Sequence, residues 1–255
     1  SSDRKIKHCA KREVEYLVSD GNEISIAIRK LYFHRGETQT LSVQMLKLFD
    51  KLFSLAFVAL HETVPFNDDQ LIRPKLILDE CSSILAGEKN YLASKTYDDY
   101  STIISCLKKV FIKGYPLPKH DALATRLRSE KYKGICIIVP ERSDKKHVQE
   151  YWQMWCRRQR LITQVYVLYP AEYYPALTTQ FSATVVVGWL KRAIMRKILY
   201  GFNTQTYTIL LYDYEKRWKN YDTQKWNSAL DSLQNRKTIE RSFATDKLHV
   251  STSRF

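Results

Sequence analysis

The 255-residue chain is 44% hydrophobic and 27% charged, a balance that excludes an intrinsically disordered polymer and predicts a buried core. Its longest apolar run, around Leu52 to Leu60, is far shorter than the roughly 20 residues a bilayer span requires, so the composition offers no membrane-spanning helix. The formal net charge of +14 is uneven: residues 1–130 hold 20 Lys and Arg against 17 Asp and Glu, whereas residues 131–255 hold 21 against 10. A surplus of that kind points to a polyanion, nucleic acid first and an acidic membrane surface or acidic protein next.

The opening Ser1-Ser2-Asp3-Arg4 has neither a methionine nor an apolar leader and reads as a piece of something longer. From Asp3 to about Tyr132 apolar residues recur at three and four, as in Val14, Leu17 and Val18, which predicts a helical region over 1–130. Within it the stretch Thr40 to Leu60 is apolar on more than one face, as a helix packed on several sides would be. Pro65-Phe66-Asn67-Asp68-Asp69 supplies a stop and a fresh N-cap, and Gly87-Glu88-Lys89-Asn90 another break. Asp98-Asp99 or Ser101 starts the next predicted helix, which ends near Lys113-Gly114, and Tyr115-Pro116-Leu117-Pro118 forms a connector.

After Lys133-Gly134 short β-branched runs alternate with amphipathic ones. Ile135–Val139, Gln164–Tyr169, Ala183–Val187 and Tyr207–Tyr212 read as strands, while Asp144 to Arg160, Leu190 to Leu199 and Thr223 to Gln234 read as helices. The expected fold is therefore α/β: an N-terminal helical region, then over 131–240 a Rossmann-like domain with a mostly parallel sheet of about four or more strands, then a tail over 241–255. Right-handed crossovers would place any functional edge at the carboxyl ends of the strands.

The five cysteines are odd in number and widely spaced, with no CxxC pair or Cys/His cluster, so no metal is expected and a reducing, cytoplasmic setting is. Leu76-Ile77-Leu78-Asp79-Glu80 has the shape of a Walker B strand, yet it lies in a helical pattern. No GxxxxGK[ST] occurs to cradle phosphates, so the chain is not expected to be an autonomous ATPase. GxSxG is absent, and Asp213 with Glu215 lacks the second acidic cluster of a nuclease.

Candidate phosphate-binding cations gather where strands end. Arg142, Lys145 and Lys146 follow the first strand of the second half, Lys191, Arg192, Arg196 and Lys197 follow the Gly188-Trp189 exit, and Lys216, Arg217 and Lys219 follow the last. A guanidinium or ammonium at such a position neutralises phosphate, and the paired reading is a salt bridge to a neighbouring carboxylate. Arg157, Arg158 and Arg160 either complement a helix C-terminus or contact a polyanion. The five tryptophans read as core before stacking platforms.

Gly134-Ile135-Cys136-Ile137-Ile138-Val139-Pro140, Val185-Val186-Val187-Gly188-Trp189 and Ile209-Leu210-Leu211-Tyr212-Asp213-Tyr214-Glu215-Lys216-Arg217-Trp218 together resemble the second RecA-like domain of superfamily 1 and 2 helicases, over roughly residues 131–235. The resemblance implies that Arg217 serves as an arginine finger, reaching a nucleotide held by a preceding domain, so that ATP and magnesium enter only with a partner domain. The chain lacks a Q-x-x-G-R-x-x-R run and an intact threonine-glycine motif. A helical half followed by an α/β half ending in LLYDYEKRW is also similar to the large helicase-like proteins of bacterial phage-defence systems, which implies antiviral defence. The expected function is a DNA- or RNA-binding, helicase-like module that joins other domains or subunits of a complex. The alternative is a non-catalytic interaction or assembly scaffold.

Overall fold

A computed structural model describes residues 13–19, 22–129, 134–173, 181–200, 204, 206–235 and 252–254. The chain divides into two compact units, one formed by residues 20–120 and the other by residues 1–19 together with 121–255. The division differs from the expected boundary near residue 130. Glu13–Ser19 (β1) is a strand that pairs in parallel with Thr206–Tyr212 (β5), Tyr16 opposite Ile209. The helical unit is thus an insertion behind the first strand of the α/β unit. Counted by unit, residues 20–120 hold 13 Lys and Arg against 12 Asp and Glu, and the α/β unit holds 28 against 15. Nearly the whole positive surplus belongs to the α/β unit.

The helical unit contains Glu23–His34 (α1), Val43–Leu60 (α2), Asp68–Glu88 (α3) and Ser94–Val110 (α4), and Pro118–Arg128 (α5) carries the chain across the boundary. Local sequence sets the starts. Asn22 caps α1 through its side chain, and Asn67 and Gln70 form a reciprocal capping box at α3, each satisfying a backbone N–H the helix leaves over. In α2, Met45, Leu48, Phe49, Leu52, Leu55, Ala56, Ala59 and Leu60 are buried on one broad face while Val43 and Val58 on the other are exposed, so the helix is amphipathic and not the expected one packed on several sides. α4 begins at Ser94, four residues before the expected Asp98 start, so Asp99 lies inside the helix, where its carboxylate takes Lys30 and, at 3.1 Å, Nε2 of the buried His34. Nδ1 of His34 lies 3.0 Å from Glu37, and the ring stacks on Tyr100. The Walker-B-like run lies within α3, where Asp79 pairs with Lys108 at 2.8 Å and Glu80 with Lys51. Those carboxylates sit on a helix surface already matched with lysines.

The α/β unit is built on Gly134–Ile138 (β2), Lys145–Arg158 (α6), Gln164–Leu168 (β3), Pro170–Tyr173 (α7), Ala183–Val187 (β4), Arg192–Tyr200 (α8), β5 and Glu215–Asn235 (α9), with Thr252–Arg254 (β6) beside β1. The strand order is β3-β2-β4-β5-β1-β6 and every pairing is parallel. The expected α/β class with a mostly parallel sheet is what the chain adopts. β2 and β4 are buried at all five positions, as strands covered on both faces must be, while β3 at the edge alternates buried with partly exposed residues. α6 shields that edge, since Gln153 donates to the Val165 carbonyl and Gln149 accepts from the Val167 N–H. One face of the sheet, with Tyr16, Cys136, Ile138, Val186 and Ile209, packs against Met195, Ile198 and Leu199 of α8 and Trp226 of α9. The connection from β2 to β3 runs the opposite way from that of β4 to β5, so right-handed crossovers put α6 on the other face.

Among the described residues no helix is long and apolar enough to cross a membrane. Cys81, Cys106, Cys136 and Cys156 are buried thiols, while Cys9, His8 and His249 lie outside the described residues. Of the expected tail only Thr252–Arg254 is described.

Candidate functional site

The order of the sheet fixes where a site can form. From β2 the chain moves outward to β3, then returns across β2 to β4 and continues to β5, so the direction reverses between β2 and β4. The loops leaving the carboxyl ends of these two strands therefore diverge and open a crevice, the usual ligand position in an open α/β sheet. Glu141, Arg142 and Ser143 follow β2 at that end, and Gly188, Trp189 and Lys191 follow β4. Gly188 has φ +91°, a left-handed conformation that glycine adopts without a steric cost and that turns the chain sharply out of the sheet.

A buried carboxylate fixes the β4 exit. Glu215 begins α9 and is fully buried; one of its oxygens accepts the Trp189 N–H at 2.7 Å and the other the Tyr212 N–H at 2.7 Å. Two adjacent strand ends are thereby held by one side chain. The Trp189 indole N–H donates to Asp222 at 2.9 Å, and the other oxygen of Asp222 takes Nε of Arg192 at 3.1 Å. This polar chain runs from the strand ends to the surface. Arg192 is gripped at Nε, and its side chain stays 47% exposed.

At its outer end lies an open groove lined by Arg192, Arg196, Tyr221, Gln224, Lys225 and Trp226, between α8 and α9. Tyr221 is 54% exposed. The Arg192 guanidinium stands 5.8 Å and the Lys225 ammonium 4.4 Å from its ring centroid. A hydrogen bond to Lys225 and the charge of that lysine hold the Tyr221 phenol below its usual range. Arg192 and Arg196 stand one helical turn apart on α8, as Tyr221 and Lys225 do on α9, so the four side chains share one patch. The groove thus sets three cations, one of them paired with Asp222, beside an exposed ring that Arg192 and Lys225 approach.

Four of the cations expected at the strand ends meet carboxylates. Lys145 pairs with Glu172, Lys146 lies 3.9 Å from Glu150, Arg192 is held by Asp222, and Lys216 pairs with Asp213 at 3.1 Å. Acid and base within a few residues of one another in the β5 exit meet as neighbours in space, which is why that cluster neutralises itself. Lys145 also sits over the Tyr169 ring, whose hydroxyl donates to the Ser143 carbonyl, so it braces two strand exits together. Lys219 is half-buried with Nζ 4.5 Å from the Tyr16 ring centroid, and burial, assisted by Lys216, lowers its pKa. Arg142, Lys191 and Arg196 are exposed and have no carboxylate within 4.0 Å among the described residues. Lys197 is exposed on α8. Arg217 is exposed on the first turn of α9, its guanidinium 5.7 Å from the Tyr214 ring.

Tyr221, Asp222 and Lys225 are absent from the sequence-derived site. A closing helix begun at Thr223 leaves out Tyr221 and Asp222 and so separates them from Lys225, whereas α9 begins at Glu215. The signal was the i, i+4 spacing of Tyr221 and Lys225 behind an acidic residue. Trp152, Trp189 and Trp226 are core residues, as expected. Among the described residues no group of three or more His, Cys, Asp or Glu side chains is arranged to hold a metal ion. No protein-family model, curated protein or solved structure matches the chain, so the groove's geometry alone must carry the functional reading.

Proposed function

We propose that the α/β unit is a nucleic-acid-binding module, a component of a larger machine, that holds a strand of DNA or RNA in the groove between α8 and α9. The observation that carries this reading is the set of Arg192, Arg196 and Lys225 around the exposed ring of Tyr221. The cations neutralise phosphate and the ring stacks on a base, a combination that tolerates any sequence. The +13 surplus of the unit, 28 basic against 15 acidic residues, draws a polyanion to it.

Binding of a mixed-sequence oligonucleotide, followed by fluorescence anisotropy over a salt series, tests the reading. Log affinity should fall linearly with log salt, and R192Q/R196Q/K225Q should flatten the slope by about two. Y221A should weaken binding by about 1–3 kcal/mol without changing the slope. Salt-insensitive binding, or an unchanged slope in the triple variant, refutes the groove.

A narrower form of the proposal is the helicase-like one, with Arg217 as the finger toward a nucleotide on a partner domain. Its support is the exposure of Arg217 at the carboxyl edge of the sheet. If R217A leaves the ATPase activity of an assembled complex unchanged, that role is removed. A separate reading, an assembly scaffold, is favoured by Ile72 and Leu76, which are 57% and 66% exposed one turn apart on α3. Light scattering that finds the chain monomeric at high concentration counts against it.

A further inference from the structure

The groove does not contain the largest group of cations without carboxylate partners. α6 leaves the carboxyl end of β2 and runs back along the sheet, so its last turn lies at the opposite, amino edge, shortly before β3 begins. Arg157, Arg158 and Arg160 are exposed there. Arg128, the last residue of α5, joins them with its guanidinium 5.1 Å from the Trp155 ring centroid. Among the described residues none of the four has a carboxylate within 4.0 Å, whereas Lys145, Arg192 and Lys216 at the other edge all do.

The backbone at this turn is unusual as well. Arg160 has φ +56°, in the left-handed region, and is the one non-glycine residue there among those described. It closes a helix-ending motif in which the Leu161 N–H donates to the Cys156 carbonyl at 2.9 Å and the Arg160 N–H to the Arg157 carbonyl at 3.0 Å. Glycine fits that position best. The favourable field of a helix C-terminus accounts for Arg157 and Arg158 at the end of α6 and for Arg128 at the end of α5, but not for a left-handed arginine. What the four share is exposed positive charge without a carboxylate within 4.0 Å among the described residues, and Arg128 among them stands against the Trp155 ring near the end of α6.

We propose that Arg128, Arg157, Arg158 and Arg160 form a second phosphate-contacting site, at the amino edge of the sheet, which extends the nucleic-acid footprint beyond the groove. Arginine retained where glycine is favoured trades stability of the turn for one more phosphate contact. The identity of the polyanion rests on the groove reading; the existence of the anion site does not. Strands of five to seven residues separate the two edges by about 16–23 Å. Because α6 covers the face of the sheet opposite α8 and α9, the two sites are farther apart than the strand length, and a nucleic acid that touches both passes around the sheet.

The test uses the whole chain, a labelled 20-base-pair duplex and a 20-nucleotide single strand, each titrated over a salt series. R157Q/R158Q/R160G should flatten the log–log slope by about two to three, at 0.7–0.9 for each lost contact. R160G alone should raise the melting temperature while flattening the slope by about one contact, an opposition that a folding defect cannot produce. A wild-type slope in R157Q/R158Q/R160G overturns the second site, and if R192Q/R196Q/K225Q still loses binding the groove reading stands. Absence of salt-dependent binding in the wild type overturns both. Poly-glutamate that competes as well as the duplex, with both lost in R157Q/R158Q/R160G, reassigns the cluster to an acidic protein. A lower melting temperature for R160G overturns the trade between stability and charge.

Discussion

Replacing Glu215 with alanine removes the acceptor of two buried backbone N–H groups, those of Trp189 and Tyr212, each held at 2.7 Å. Each orphaned donor costs about 1–3 kcal/mol, because water cannot reach it, and hydrogen bonds to an ionised group lie at the stronger end. E215A should therefore lose about 3–5 kcal/mol, a large share of the roughly 5–15 kcal/mol that separates a typical folded domain from its unfolded chain. E215Q keeps one carbonyl oxygen for one of the two donors and turns an amide toward the other, so it should lose about half as much. Urea unfolding followed by tryptophan fluorescence measures the difference, since Trp189 is only 4% exposed. Amide hydrogen exchange at Trp189 and Tyr212 should accelerate more than at β2, which Glu215 does not touch. An E215A protein within about 0.5 kcal/mol of wild type, with unchanged exchange at both amides, would show that Glu215 does not hold the two strand ends.

The helical unit should lose stability in acid through Asp99. Burial pushes its carboxyl upward, but hydrogen bonds from Lys30 and His34 and their charges outweigh that effect and hold it below the usual range. A carboxylate depressed in the folded state contributes stability that is complete above its unfolded pKa near 3.9 and is lost as pH falls through the folded value. D99N should therefore be less stable at neutral pH and show a shallower loss below about pH 4; an acid limb parallel to wild type contradicts the assignment. Burial raises the pKa of Cys81 to about 11 and pushes Cys106, Cys136 and Cys156 upward too. In a C9S background these four thiols should stay unreactive toward a thiol reagent at pH 8 until the chain is unfolded, when all four react; a rapidly modified thiol in the native protein refutes their burial.

The four strands of the second half were legible because their burial is continuous. Runs such as Ile135-Cys136-Ile137-Ile138 and Ala183-Thr184-Val185-Val186-Val187 have no polar face, which is what covering by helices on both sides demands. β1 was not. Glu13-Val14-Glu15-Tyr16-Leu17-Val18 alternates for its first four residues, but the apolar pair Leu17-Val18 also satisfies a helical spacing, and a strand whose partner lies far along the chain leaves no local turn signal. Lysines and arginines could be counted from the sequence, but their partners could not. Lys145 meets Glu172 across a strand and Arg192 meets Asp222 across a helix, both pairings set by tertiary geometry. The groove was visible on one side only, as Arg192 and Arg196, because the start of α9 is decided by the buried Glu215.

The insertion of residues 20–120 behind β1 has a consequence for biosynthesis. Tyr16 and its neighbour Ile209 are 193 positions apart, so at 5–20 residues per second the first strand leaves the ribosome some 10–40 s before the last core strand it must join. The intervening residues 20–120 are complete only about halfway through that interval. A strand whose Val14, Tyr16 and Leu17 stay unburied that long is a natural client for a chaperone. It is also a segment that another nascent copy can capture, so crowded overproduction should favour strand-exchanged assemblies over single chains.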